Sequence, residues 1–468
     1  MLGTSLEDIS KSFIKRNLTE TEFKETFRKV LVLFQESSVD CLAISYEGEE
    51  KAMKSKKWTL LATSLTAMVL MAACAQSTTT SNTNATTNSA TTTATKTNQS
   101  SYFTEKDYDT SYDESTASKI ELSGSSANVS GDGVTVVSES TVTITKSGTY
   151  VISGQSDGVQ IKVEVDKSAD VHLVLKGATM TNTNAAISAT SAGHVYLTLA
   201  EGTTNSLSDS SSNSDEKANA ALFSKVDLTI NGKGTLNVDG KKNNGIKAND
   251  TLHITGGTYN ITAVGDAFNV NDELNITGTT MTIDAQEDGV KVDNDEDTSV
   301  GTMYLSNNNI TVTAGDDGIH ASGNLVIDSG TYTVKNSTEG IEGKSITIND
   351  GDINVYATDD GVNAANKNAQ QSEIFFAMNG GNLTVEVGQG DTDPIDSNGD
   401  ITVTGGTIKM IGQTGFDFDG TATYTGGDIY LNGEKQTEIV NSMPGGGGPN
   451  EGPQGNGGPG GPAPGGRG

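Results

Sequence analysis

An acidic residue, a glycine and an aliphatic residue recur in this order along the chain, and the carboxylate is the group that could do chemistry. The complete and degenerate copies are Asn244-Gly245-Ile246, Asp266-Ala267-Phe268, Asp288-Gly289-Val290, Asp317-Gly318-Ile319, Glu339-Gly340-Ile341 and Asp360-Gly361-Val362. Measured on the middle residue, the steps are 22 (245 to 267), 22 (267 to 289), 29 (289 to 318), 22 (318 to 340) and 21 (340 to 361). A period of about 20–25 residues indicates a repeat architecture in which equivalent residues stack.

Stacked repeats would place these acids in a ladder of carboxylates. Neighbouring unit charges about 5 Å apart repel by about 3 kcal/mol at an effective dielectric of 20, so such a ladder favours bound cations. Hard oxygen ligands on loops suit Ca²⁺ better than a transition metal. The predicted metal ligands are Asp266, Asp288, Asp316, Asp317, Glu339, Asp359 and Asp360. A second interpretation stays open, because Asp-Gly and Asn-Gly are common turn dipeptides in which glycine adopts positive φ.

An insertion after the Asp288 repeat adds three candidate calcium ligands, Asp293, Asp295 and Asp297. Acids at alternate positions are typical of calcium loops, but the glycine and the distal glutamate of an EF-hand are missing. The match is therefore partial. A further cluster contains Asp391, Asp393 and Asp396, with Asp417 and Asp419 one repeat later.

The elements that must position these acids are short strands. Leu252-His253-Ile254 followed by Gly257-Thr258-Tyr259-Asn260-Ile261 shows the period-2 alternation of strands, and the unit returns throughout the chain. We therefore predict an all-β fold, a right-handed parallel β-helix with three short strands per coil and about 22 residues per coil. A β-sandwich pair is the alternative. Insertions interrupt the period at residues 206–217, 293–301 and 364–373.

An internal export signal precedes the repeats. Lys54, Lys56 and Lys57 form a basic segment, Leu60–Leu70 is apolar, and Ala72-Ala73-Cys74 resembles a lipobox. We expect lipidation at Cys74 and a protein anchored to the extracellular face of the membrane by two acyl chains. The predicted organisation is as follows: 1–52, an over-extended start outside the mature protein; 53–73, signal peptide; 74–101, a low-complexity tether; 102–432, the β-helix; 433–468, a disordered Gly/Pro-rich tail.

Charge limits the functional classes. The whole chain has a formal net charge of −30. Nucleic acid is excluded as a partner, because binding it requires clustered Lys and Arg. The only arginines are Arg16, Arg28 and Arg467, so the coil region lacks the base that a calcium-dependent polysaccharide lyase usually employs. Hydrolysis would need two carboxylates at a defined separation, which an acidic column supplies by chance. The lack of arginine argues against an enzyme, but the carboxylate pairs leave catalysis open.

A binder of polysaccharides needs surfaces for sugar rings. Tyr259, Tyr332 and Tyr356 are the predicted ligand-binding residues if they face outward, and packing within the repeat is the alternative for the Gly-Thr-Tyr tyrosines. His320 is the one histidine beside the acidic ladder. Bound Ca²⁺ could bridge the protein's carboxylates to an acidic sugar polymer. A structural cell-wall or biofilm protein remains a further alternative, and we expect a monomer.

Several segments resemble a known family. These segments are Leu199-Ala200-Glu201-Gly202-Thr203, Asn219–Lys225 followed by Asp227–Gly232, and Asp288–Asn294. They are similar to the carbohydrate-binding, calcium-binding parallel β-helix lipoproteins of Gram-positive bacteria, over roughly residues 102–432. The resemblance implies a pectate-lyase-like superhelix with Ca²⁺ sites that binds polygalacturonate or a related polysaccharide without established catalysis. Asp393-Pro394-Ile395 departs from the family's Asp-Gly-aliphatic pattern.

Overall fold

The computed structural model describes residues 101–442, except residues 139, 295, 298 and 391. The over-extended start, the signal peptide, Cys74, nearly all of the tether, Asp295 and residues 443–468 lie outside the described residues. Within the described range the chain forms 36 strands and two short 3₁₀ helices, Glu105–Tyr108 and Gln371–Glu373, and no α-helix. The predicted all-β class is confirmed. In that same range, we find no helical segment with the length and apolar character needed to span a bilayer.

The strands are short and follow one another closely. The first twelve are β1 Ser118–Gly124, β2 Ser126–Ser130, β3 Val134–Ser138, β4 Thr141–Ile144, β5 Gly148–Asp157, β6 Gln160–Glu164, β7 Asp170–Thr181, β8 Ile187–Ser191, β9 His194–Leu199, β10 Thr204–Ser208, β11 Ala220–Ser224 and β12 Leu228–Gly232. The next twelve are β13 Thr235–Gly240, β14 Asn244–Ala248, β15 Thr251–Thr255, β16 Thr258–Ala263, β17 Phe268–Val270, β18 Glu273–Thr277, β19 Thr280–Ala285, β20 Val290–Val292, β21 Thr302–Ser306, β22 Asn308–Thr313, β23 Ile319–Ile327 and β24 Gly330–Asn336. The last twelve are β25 Ile341–Ile348, β26 Asp352–Ala357, β27 Val362–Ala364, β28 Phe375–Met378, β29 Asn382–Val387, β30 Ile395–Ser397, β31 Asp400–Val403, β32 Thr407–Ile411, β33 Phe416–Phe418, β34 Ala422–Tyr424, β35 Asp428–Leu431 and β36 Glu434–Gln436.

Strands pair in parallel with the equivalent strand of the next repeat. Thus β12 pairs with β15 and β15 with β18, β13 pairs with β16 and β16 with β19, and β14 pairs with β17 and β17 with β20. The long strands β23 and β25 each contribute to two of these series. Antiparallel pairs occur only near the two ends of the described chain, between β1 and β2, β3 and β4, and β35 and β36.

The hydrophobic core is a continuous set of inward side chains from Ile120 to Ile429. Alternation along many strands buries one face, as in β16, whose pattern alternates between exposed and buried residues, whereas β11 and β12 are buried throughout. The register of the parallel pairs then places similar side chains next to one another, as where Leu252 faces both Leu228 and Leu274. Burying one leucine side chain contributes about 1.5–3 kcal/mol, so the stacked columns stabilise the fold although each strand is short.

The glycine of the recurring phrase is required by close packing. A Cβ on Gly289 would lie 2.3 Å from Val312 Cγ1 and 2.6 Å from the Gly318 carbonyl oxygen, and one on Gly340 would lie 2.2 Å from Val355 Cγ1. Neither glycine has positive φ. The turn-based explanation of these glycines is therefore wrong: the next repeat approaches too closely for a side chain.

The ends of the fold differ from the predicted boundaries. Glu434–Gln436 forms β36, and the Ser442 amide donates to the Phe416 carbonyl oxygen at 2.8 Å. The ordered segment therefore extends ten residues beyond the predicted start of the tail at residue 433, because the chain folds back to pair with β35. The predicted insertions correspond to the connections between β10 and β11, β20 and β21, and β27 and β28.

At the other end, residues 102–109 cross the outside of one strand series, and we call them the N-terminal clamp. Tyr102 stacks on Tyr304 of β21 with ring centroids 3.7 Å apart. Asn275 Nδ2 in β18 donates to the Tyr102 carbonyl oxygen at 2.9 Å. Farther along, Thr229 Oγ1 of β12 donates to Asp107 Oδ1 at 2.6 Å. The clamp thus connects repeats that do not pair directly with one another.

Candidate functional site

The predicted acids do lie in one column. The acidic column comprises Asp266, Asp288, Asp317, Glu339 and Asp360, each two residues before a strand: β17, β20, β23, β25 and β27 respectively. Main-chain bonds fix the stacking, since the amides that follow Asp288, Asp317 and Glu339 donate to the carbonyl oxygens of Asp317, Glu339 and Asp360 at 2.8–2.9 Å. The stacking inferred from the repeat period is therefore present.

In several carboxylates of the acidic column, one oxygen accepts a hydrogen bond from a main-chain amide of the next repeat. The Asp288 amide donates to Asp266 Oδ1 at 3.0 Å, and the Asp317 amide donates to Asp288 Oδ1 at 2.9 Å. Asn244 has the same role in the preceding repeat, where its Oδ1 accepts from the Asp266 amide at 3.3 Å. Farther on, Asp360 Oδ1 accepts from the Asp393 amide at 2.7 Å. Hydrogen bonds to an ionised carboxylate favour its charged form and help to explain how these acids tolerate burial.

A second column runs beside the first, three residues later in each repeat. This companion column comprises Lys247, Asn269, Lys291, His320, Glu342, Asn363, Asp396 and Asp417, which face one another in register through consecutive parallel pairs. Apart from His320 and the acids Asp396 and Asp417, sequence reasoning missed these residues as partners of the acidic column. The fixed offset of three residues after the acid was the available signal.

In the first half of the site, at Asp266 and Asp288, the companion column supplies a hydrogen-bond donor or a cation to each acid. Lys291 Nζ lies 2.6 Å from Asp288 Oδ2, and Asn269 Nδ2 donates to Asp266 Oδ2 at 2.6 Å. Burial alone would lower the pKa of Lys291, but the hydrogen bond to Asp288 raises it above the usual range. Burial raises the pKa of Asp266. The resident lysine therefore already occupies much of the space that a cation would need at Asp288.

His320 lies between the first half of the site, at Asp266 and Asp288, and the second half, at Glu339, Asp360 and Asp396. Its Nδ1 is 2.9 Å from Asp317 Oδ2 and 2.5 Å from Glu342 Oε2. Burial disfavours the imidazolium, but hydrogen bonds to these two carboxylates raise the pKa of His320 to about 10. Burial raises the pKa of Asp317 to about 6. Burial would also raise the pKa of Glu342, but the hydrogen bond from His320 and its charge outweigh burial and lower the pKa of that carboxyl.

The second half carries carboxylates without basic partners in either column. Burial, followed by the charge of Glu342, raises the pKa of Glu339 to about 8. Burial, followed by neighbouring acids, raises the pKa of Asp360 to about 6 and that of Asp396 to about 7. Asn363 donates its amide to Glu339 Oε2 at 2.9 Å, but its Oδ1 is buried with no hydrogen-bond partner among the described residues. Ionisation of these acids is therefore disfavoured unless a cation compensates their charge, and the Asn363 amide oxygen is available to accept a further contact.

Two groups of ligand atoms converge within 4.8 Å of one another in the described range of the chain. One contains Asp288, Asp316 and Asp317, all predicted metal ligands, although Asp316 is exposed. The other contains Asp317, His320 and Glu342. The insertion acids Asp293 and Asp297 join neither group, and Asp359 is exposed beside Asp360 without joining one.

The insertion at residues 293–301 is held by local hydrogen bonds. Asn294 Oδ1 accepts from the amides of Glu296 and Asp297 at 3.1 and 3.0 Å. Asp297 Oδ1 in turn accepts from the amide and hydroxyl of Ser299 at 2.9 and 2.6 Å. These contacts are those of a turn, and Asp297 uses an oxygen in them that a calcium loop would direct inward.

Two of the predicted sugar-binding tyrosines are misassigned. Tyr259 and Tyr332 are 0% and 1% exposed, and their hydroxyls donate to the carbonyl oxygens of Gly256 and Ser329. Alternation is the reason: Thr258 and Thr331 of the Gly-Thr-Tyr phrases face outward, so the tyrosines that follow them face the core. Tyr356 is 37% exposed and remains available to a ligand.

Comparisons with known proteins identify relatives. A family model described as carbohydrate-binding domain-containing protein matches residues 138–392 and 317–427. A protein of that description from Acetivibrio thermocellus is 41% identical over 138 residues, which are 28% of this chain and 48% of the relative. The match thus spans about half the length of that curated relative. A solved structure of a polysaccharide lyase-like protein from C. thermocellum, a gadolinium derivative, is 26% identical with a TM-score of 0.39, covering 66% of this chain and 99% of that one. By the extent of the family match, this chain belongs to the family of carbohydrate-binding domain-containing proteins.

Proposed function

We propose that this protein is a lipid-anchored surface protein that binds an acidic, polygalacturonate-like polysaccharide through bridging Ca²⁺ and does not cleave it. Its family supports a carbohydrate ligand. We further propose that the repeats wind as a right-handed parallel β-helix, which the parallel pairing of equivalent strands in successive repeats supports. Such a fold presents an elongated surface suited to an extended polymer.

The second half of the two columns is the proposed Ca²⁺ locus. Calcium takes six to eight oxygen ligands, including carboxylates and amide carbonyls. Glu339, Asp360 and Asp396 supply carboxylates that no base of the columns neutralises, and burial, followed by neighbouring acids, raises their pKa values. The observation that carries the assignment is Asn363 Oδ1, a buried acceptor for which the described residues offer no donor, in register between Glu342 and Asp396.

The need for a cation follows from charge. A chain of net charge −30 repels a polyanion, so an acidic polysaccharide could bind only where counterions reverse the local sign. Ca²⁺ shared between protein and sugar carboxylates would do so. Tyr356, which lies on the outward face of β26, would add a ring on which a sugar could pack.

Anchoring is proposed from the sequence alone. The order of basic segment, apolar run and Ala72-Ala73-Cys74 supports lipidation at Cys74 and a location on the extracellular face of the membrane. The low-complexity residues 74–101 would hold the repeats away from the bilayer. The membrane contact would therefore be made by the lipid, and we propose that the protein acts as a monomer.

A hydrolase is the second candidate, and one observation favours it. Glu339 and Asp396, with pKa values raised to about 8 and about 7, would carry protons near neutrality, as a general acid must. Asp360 follows Glu339 by one repeat in the acidic column, and strands about 4.8 Å apart bring such neighbouring carboxylates near the separation of about 5–5.5 Å found in retaining glycosidases. A lyase is less well supported, since no arginine lies within residues 102–432. A purely structural wall protein would bind neither cation nor glycan.

One binding experiment separates these functions. Binding of polygalacturonate is measured with Ca²⁺ and with a chelator, while new reducing ends and unsaturated products are followed in the same samples. We expect Ca²⁺-dependent binding without product. The double variant Asp360→Asn with Asp396→Asn should abolish it, and the matched control, Asp284→Asn with Asp352→Asn on exposed strand positions, should not. Binding that persists under chelation contradicts bridging, and appearance of product establishes an enzyme.

A further inference from the structure

His320 and two carboxylates form a compact group at the boundary between the two halves of the site. Asp317 precedes β23, His320 is the second residue of β23, and Glu342 is its register partner in β25. The side chains are only 12%, 17% and 22% exposed respectively. Parallel pairing fixes the three backbones, so the convergence does not depend on a loop.

We propose that Asp317, His320 and Glu342 bind a divalent transition metal of the Zn²⁺ class. Imidazole nitrogen suits Zn²⁺, Co²⁺ and related ions, whereas Ca²⁺ takes oxygen ligands. The histidine therefore assigns this group a different ion from the all-oxygen locus farther along the columns. The inference does not depend on the polysaccharide proposal.

The dimensions fit such an ion. In tetrahedral geometry, metal–ligand bonds of about 2.0–2.2 Å place adjacent ligand atoms about 3.3–3.6 Å apart. His320 Nδ1 lies 2.9 Å from Asp317 Oδ2 and 2.5 Å from Glu342 Oε2, so both carboxylate side chains must move outward, each by no more than about 1 Å. Three protein ligands leave at least one position open to water or to an oxygen of a bound sugar.

Charge also balances in the exchange. With a protonated imidazole facing two carboxylates the local sum is −1, and the metal must displace that proton. Metal binding forms the bond to Nδ1, releases its proton to solvent and leaves a neutral imidazole with a dication and two carboxylates, so the sum becomes 0. Lys291 is the register neighbour of His320 on the other side, but its ammonium is engaged by Asp288 at 2.6 Å and need not be displaced.

Metal binding to the untagged mature chain tests the proposal. Titration calorimetry with Zn²⁺ should give one tight site, and Co²⁺ should give a visible absorption band that Zn²⁺ abolishes. His320→Ala should weaken Zn²⁺ binding by about 100-fold, since even the loss of an outer partner costs about 10–100-fold. Glu342→Gln, which keeps the side-chain shape, should also weaken it.

The matched control is His194→Ala. His194 Nε2 contacts Thr229 Oγ1 at 2.8 Å, and the residue belongs to neither group of converging ligands. This variant should bind Zn²⁺ as the wild type does. A wild-type chain without a cobalt band, or a His320→Ala chain that binds Zn²⁺ as tightly as wild type, overturns the proposal. Ca²⁺ binding by His320→Ala should persist, so failure here is distinct from failure of the calcium locus.

Discussion

Asp107 and His253 are far apart in the chain, yet Asp107 Oδ2 lies 3.2 Å from His253 Nδ1. The carboxylate is buried, and its other oxygen accepts from Thr229. Burial opposes the charged imidazole, but the Asp107 and Glu273 carboxylates outweigh it and raise the pKa of His253 to about 9. The pair therefore fastens the N-terminal clamp to the repeats and makes that attachment sensitive to pH.

Asp107→Asn should destabilise the protein and flatten its pH dependence. A histidine whose pKa is raised on folding stabilises the folded state fully below its unfolded pKa of 6.5, and this contribution is lost as the pH rises through about 9. The variant should lose about 1–3 kcal/mol of the free energy of unfolding near neutral pH and much less at alkaline pH. Urea denaturation at both pH values measures this. Asp109→Asn is the control, because its exposed carboxylate bonds only to nearby Ser111.

Gly340→Ala should be among the most damaging glycine substitutions. The new Cβ would lie 2.2 Å from Val355 Cγ1 and 2.3 Å from the Gly361 carbonyl oxygen, so adjacent repeats must separate. We expect a loss of about 1–3 kcal/mol, as for other overpacked sites. Gly415→Ala is the matched control, since its nearest atom would be 3.5 Å away. Equal denaturation midpoints for the two variants would show that close packing does not explain the glycine.

Tyr332→Phe and Tyr356→Ala should separate stability from ligand binding. Removing the Tyr332 hydroxyl takes away one of the two donors to the Ser329 carbonyl oxygen, which keeps the Asn307 amide, and it should cost about 1 kcal/mol of stability and leave polysaccharide binding unchanged. Tyr356→Ala should leave stability nearly unchanged and weaken binding, because its ring is on the surface. Affinity electrophoresis and thermal unfolding of both variants distinguish the roles. Weaker binding by Tyr332→Phe alone would reverse this assignment.

Ca²⁺ should stabilise the protein most at the alkaline end of its range. Folding raises the pKa of Glu339 from 4.5 to about 8 and that of Asp396 from 3.8 to about 7, chiefly through burial. Such groups favour the folded state below their unfolded pKa, and the contribution disappears as the pH rises through the folded pKa. In chelator, the unfolding temperature should therefore fall towards about pH 8, and Ca²⁺ should restore it. Calorimetry that shows the same pH profile with and without Ca²⁺ would contradict the proposed locus.

The acidic column could be predicted from sequence because its identity and period are both regular. The companion column was missed, since Lys291, His320 and Glu342 share an offset of three residues after the acid but no residue type, and their register becomes visible once strands are paired. The assignment of Tyr259 to the ligand is wrong because a strand side chain points inward or outward according to its position in the alternating pattern, and the residue type alone does not reveal that position. Likewise β36 lies in a stretch with weak strand signals, and its pairing with β35 decides its structure.

The clamp also determines how a pulling force would enter the molecule. Tension applied at residue 101 would not reach β1, the first strand of the described chain, first. It would pass to Tyr304 in β21 through the stacked Tyr102 ring and the Asn275 side chain, in the middle of the strand series. The clamp's contacts would be loaded in sequence, from β21 back towards β12, before any paired strand. Under the surface anchoring proposed above, shear would thus first open a reversible set of side-chain contacts and leave the repeats intact.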